Sequence, residues 1–173
     1  MTESQGVPTG QSRQVDPDEL ALVLQRLRSE QNLGLGTITG AAAAAIGAAA
    51  WAAVTVLTHY QIGWMAVGVG FLVGLAVRTF GKGVDRVFGF VGAGLALLGC
   101  LVGNLLAVCG MVARQEALGF LEVLSRLDTQ IVQELMIATF SPMDLLFYGI
   151  AVYEAYKLSF RQLSAADPAK RVS

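Results

Sequence analysis

From Leu35 to Thr58 the chain reads LGTITGAAAAAIGAAAWAAVTVLT, 24 residues without a single formal charge. As a helix this run would reach about 36 Å at 1.5 Å per residue, enough to cross a bilayer core of about 30 Å. A helix on the surface of a water-soluble domain would need a polar face along its length, and this one has none. Two further runs have the same character. Ile62 to Val77 (IGWMAVGVGFLVGLAV) is short, but Arg78 can lengthen it by holding its charge in the headgroups on a long apolar stem. Val87 to Val112 is again free of formal charge.

Composition agrees with a lipid solvent. Of the residues 54% are hydrophobic and 14% charged, against roughly a quarter charged in an ordinary soluble domain, so the polar surface that water requires is missing. The net charge of -1, with no clustered basic face, excludes a nucleic-acid partner. Cys100 and Cys109 lie nine residues apart within one apolar run, a spacing that suits neither a redox pair nor a zinc knuckle. They read as buried structural thiols.

The glycines of Gly68–Arg86, GVGFLVGLAVRTFGKGVDR, pose a choice between a phosphate cradle and helix packing. A Walker loop needs Ser or Thr after its lysine, but Gly83 follows Lys82, and Ala76 stands where the first glycine belongs. Gly68, Gly70 and Gly74 lie inside an apolar run rather than at a strand-to-helix turn, so a dinucleotide site is not supported either. No nucleotide or other cofactor is expected. Glycines recur instead four residues apart in each span: Gly36 with Gly40, Gly70 with Gly74, Gly99 with Gly103. That spacing places both members on one helix face and lets backbones approach closely, within one chain or between chains. Ala44, Ala48 and Ala52 prolong the first stripe.

Polar segments complete the predicted layout. Residues 1–15 are rich in Ser, Gln, Gly and Thr and read as a disordered cytoplasmic tail, with no signal peptide. Residues 16–32 form an amphipathic cytoplasmic helix, begun by Asp16 and Pro17, with Leu20, Val23, Leu24 and Leu27 on one face. The membrane domain covers 33–164, with spans at 35–58, 62–80, 87–112 and 142–164, and 165–173 is a cytoplasmic tail. Between the last two spans, 115–138 carries too many charges for lipid and is expected as one amphipathic helix on the outer surface. The fourth span rests on SPMD, where Ser141 caps, Pro142 occupies the first turn and Asp144 faces the free amides; a three-span protein with a surface helix here is the alternative. Tyr60 and Trp64 suit the interface beside the hairpin at His59 to Gln61.

Charge asymmetry sets the orientation. With both termini cytoplasmic, ten of the twelve basic residues lie inside and only Arg114 and Arg126 outside. The predicted fold is thus an all-α integral membrane protein, four transmembrane helices in a glycine-rich bundle with amphipathic surface helices.

Few residues suggest chemistry. Glu154 would lie below the headgroups, where a carboxylate is costly, although Lys157 three residues on offers a partner. Asn104, deep in the third span, can coordinate a substrate or bond a neighbouring helix. His59 has no second His or Cys for a metal site, and Asp144 reads as a helix-start carboxylate. No catalytic residue, cofactor or metal ligand is assigned.

The segment from Trp51 to Leu106, with its YQIGWMA and GKG pieces, resembles the core of a widespread family of small, functionally uncharacterised bacterial multi-span inner-membrane proteins. FSPMDLLFYGIAVYEAYKLSFR is similar to their closing segment. The resemblance implies a bacterial inner-membrane location and no particular activity. The function expected is that of a non-enzymatic assembly or structural subunit, in contact with the bilayer and forming a homo-oligomer or binding another membrane protein. A small oligomeric channel or transporter is the alternative, with Asn104 and Glu154 on its path, and a membrane-embedded enzyme the third reading.

Overall fold

A computed structural model describes residues 17–60, 63–139 and 141–160. Every regular element among them is a helix: α1 (Pro17–Ser29), α2 (Leu33–Thr58), α3 (Trp64–Gly81), α4 (Arg86–Gln115), α5 (Phe120–Ser125), α6 (Thr129–Thr139) and α7 (Pro142–Leu158). The expected tails, the Asp16 cap, the side chains of Leu20 and Val23, and residues 161–164 of the fourth span lie outside the described residues.

Helices α2, α3, α4 and α7 pack together as one bundle, and neighbouring residues give its topology. Gly36 lies against Gly81 and Gly47 against Val69, so α2 and α3 are antiparallel; Ala44 meets Gly99 and Trp51 meets Gly103, so α2 and α4 are parallel. Gly70 packs on Ala151 and Gly74 on Ala155, so α7 runs alongside α3 in the same direction. One end of the bundle thus holds the α1–α2 and α3–α4 links with the end of α7. The opposite end holds the α2–α3 hairpin, the α5–α6 segment and the start of α7.

The packing is inverted relative to a water-soluble bundle. Its interior is built of Ala, Gly and Val, with Ala48, Ala66, Val73, Val77, Ala96, Ala107 and Ala151 buried, while Ile38, Ile46, Leu57, Phe90, Leu98 and Leu145 stand on the outside. Small residues inside and large apolar ones outside suit a solvent as apolar as leucine, in which association comes from close backbone approach. Three helices, α2, α3 and α4, are long and apolar enough to cross a membrane. A fourth crossing is reached if α6 and α7, which meet at 102°, count as one broken span.

Two differences from the sequence expectation have local causes. The single helix expected at 115–138 is two, because the chain leaves α4 through Ala117 at φ 54° and breaks again at Arg126–Asp128. There the Asp128 carboxylate accepts from Ile131 N at 2.7 Å and starts α6 afresh. Helix α7 ends at Leu158, short of residue 164, where the Ser159 hydroxyl donates to Ala155 O at 2.6 Å. Its 17 residues extend about 26 Å.

Candidate functional site

Each paired glycine meets a neighbouring helix of its own chain. A methyl group added at Gly36 would come within 3.1 Å of Gly81 Cα, at Gly40 within 2.6 Å of Val77, and at Gly74 within 2.8 Å of Leu158. At Gly99 it would lie 3.1 Å from Ala44 Cβ and at Gly103 3.0 Å from the Trp51 ring, while at Gly70 it would run into the Ala151 backbone. The sequence left open whether these faces pack within a chain or between chains. In the structure they are occupied by α2–α3, α2–α4 and α3–α7 contacts, which leaves other surfaces for any partner.

Inside the bundle a band of polar groups joins four helices. Trp51 and Thr55, one turn apart on α2, are completely buried, and the indole N–H and the threonine hydroxyl have no hydrogen-bond partner among the described residues. Tyr148 of α7 stands edge-on to Trp51 and its hydroxyl donates to Cys100 O of α4 at 3.5 Å. Cys100 Sγ in turn lies 3.7 Å from Ala66 O of α3. Asn104, 1% exposed, occupies the next turn of α4. Hydroxyl, indole, amide and thiol groups can bind or pack, but this set contains no charged acid–base pair. Sequence reasoning identified Asn104 and missed Trp51 and Thr55, whose four-residue spacing on one face was the available signal.

The other candidates separate. Glu154 is half-buried on α7 and has no ion-pair partner among the described residues; Lys157 instead lies over the Tyr153 ring, 5.7 Å from its centroid. Asp144 completes a capping box, accepting from Ser141 N at 2.9 Å while Ser141 Oγ accepts from Met143 N. That is the helix-start role expected of it. His59 closes α2 in the left-handed conformation at φ 60°. Cys100 and Cys109 are buried free thiols, and no group of three potential metal ligands occurs among the described residues.

The GKG stretch is a covered turn. Lys82 ends α3 at φ 49°, and the Phe88 ring packs directly over Gly83, leaving no room there for a side chain. The α1–α2 link clamps this turn: Gln31 donates to Asp85 at 2.7 Å and accepts from Val84 N, Arg28 pairs with Asp85 at 3.4 Å, and Asn32 N donates to Gly81 O. These contacts order the basic end of the bundle.

Fold and site together define a helical bundle of membrane-spanning character whose interior is closed by small residues. No protein-family model matches the chain, and no curated protein or solved structure is significantly similar to it.

Proposed function

We propose that this chain is a non-enzymatic, four-span protein of a bacterial inner membrane, with both termini cytoplasmic, that serves as an assembly or structural subunit. The observation that carries the reading is the α5–α6 segment. It holds to the bundle mainly through Val123, which packs with Cys109 and Ala113. Much of its other apolar surface is open: Leu121 is 76% exposed and Ile137 71%, with Phe120, Leu124 and Ile131 also exposed, while Leu127, Val132, Leu135 and Met136 are partly buried. Such a patch at the end of a membrane bundle suits a second protein surface.

The glycine faces are used within the chain, so association falls to this end segment. The orientation is supported by charge, because Arg26, Arg28, Arg78, Lys82, Arg86 and Lys157 lie at one end of the bundle and Arg114 and Arg126 at the other. A channel would need its path between copies, since Trp51, Val73, Val77, Cys100 and Tyr148 fill the interior of a single chain.

Photo-crosslinking in the native membrane tests the assembly reading, with the crosslinker at position 121 or 137 and position 98 as a lipid-facing control. A discrete protein adduct of constant mass from 121 and 137, absent from 98, is expected. Lipid adducts alone from all three positions would refute it.

A further inference from the structure

Between α2 and α4, at the hairpin end, runs a groove of about 720 Å³, within the range of about 300–1,000 Å³ typical of ligand sites. Its floor is Ala49, Ala52 and Ala53 of α2 with Leu106, Gly110 and Ala113 of α4. Small side chains on both helices produce the hollow. At its mouth Arg114 reaches across from α4 to α2 and donates to Val56 O at 2.7 Å. Arg114 also lines a second, smaller hollow of about 260 Å³ with His59 and Gln115.

We infer that this groove seats one acyl chain of an anionic phospholipid, with the lipid phosphate at Arg114. The inference requires only that the bundle be in a membrane, and not the assembly role. Three observations choose this occupant.

Depth is the first. From Arg114 to Leu106 the groove descends about 12 Å by helical rise, close to one leaflet of a hydrocarbon core about 30 Å thick. Width is the second: after Gln115 the chain folds back, so that Leu118 and Phe120 narrow the outer end beside Gly110. A spanning helix about 10 Å across would have to pass this narrowing, whereas a single acyl chain needs far less room on its way to a phosphate at Arg114. Charge is the third. Arginine carries five N–H donors in a planar fork that matches phosphate, and among the described residues Arg114 uses one of them, on Val56 O. Among the described residues neither hollow is lined by a carboxylate that could hold the amine of a zwitterionic headgroup.

The test is lipid retention by the full chain in phosphatidylcholine nanodiscs containing a minor fraction of phosphatidylglycerol, read by native mass spectrometry. The expected result is retention of one phosphatidylglycerol per chain, enriched on the order of tenfold over its bulk fraction, as one charge-assisted contact would give. Arg114→Gln should abolish the enrichment, and so should Ala53→Phe, which fills the groove from an exposed position. Arg126→Gln, a cation at the same end outside the groove, should keep it. If Arg114→Gln does not fold, Ala53→Phe decides alone. Equal retention of both lipids, enrichment that survives Ala53→Phe, or a protein chain trapped at position 53 in place of lipid would each overturn the inference.

Discussion

The Tyr148 ring stands edge-on to Trp51, centroids 6.3 Å apart and planes at 87°, so the last helix of the bundle is joined to the first across its interior. Edge-to-face aromatic pairs are worth about 0.5–1.5 kcal/mol beyond burial. Trp51 also supplies the surface that Gly103 of α4 packs against. Its loss therefore affects three helices. Trp51→Ala should lower stability by on the order of 3 kcal/mol through the cavity left behind, measured as the unfolding midpoint in detergent. Trp51→Phe, which keeps a ring there, should lose much less.

Two glycines on α3 separate close packing from helix propensity. At Gly70 any side chain would strike the Ala151 backbone, which a rotamer change cannot relieve, so Gly70→Ala should destabilise by about 1–3 kcal/mol. Gly68, two residues earlier, has no neighbour within 4 Å of the added methyl. Gly68→Ala should therefore stabilise by up to about 1 kcal/mol from helix propensity alone. Unfolding midpoints of the two variants, compared side by side, check the α3–α7 contact.

The clamp on the α3–α4 turn should control α1 and little else. Asp85→Ala removes the acceptor for both Gln31 and Arg28. Exposed ion pairs contribute roughly 0–1 kcal/mol, so global stability should hardly change. Limited trypsin digestion should instead show faster cleavage at Arg26 and Arg28, while the rest of the bundle stays intact.

Orientation can be read with single cysteines, because the native thiols Cys100 and Cys109 are buried. A membrane-impermeant maleimide applied to intact cells should label Gln130→Cys directly. It should label Ser29→Cys only after permeabilisation, and the reverse pattern would invert the proposed topology.

Much of this architecture was legible because charge is so costly in hydrocarbon. The uncharged runs locate α2 and α4 to within a few residues, and Ser141-Pro142-Met143-Asp144 announces the start of α7 through local capping chemistry alone. Contacts between distant segments were hidden. That Gly70 meets Ala151 requires knowing that α7 returns alongside α3, and spacing along one helix carries no such information. The break at Arg126–Asp128 was missed because the apolar stripe of 115–138 continues across it at helical period while Asp128 caps a new helix. Trp51 and Thr55 were overlooked among the alanines of an apolar run, and the groove beside them arises only where two small-residue faces meet.

The most direct test of the proposed role is the mass of the wild-type particle extracted with its native bilayer in nanodiscs, beside the double variant Leu121→Ser, Ile137→Ser. The expected result is a particle of fixed stoichiometry, holding further copies or a second protein, that falls to a single chain in the variant. A wild-type particle containing one chain and lipid alone would contradict the assembly role.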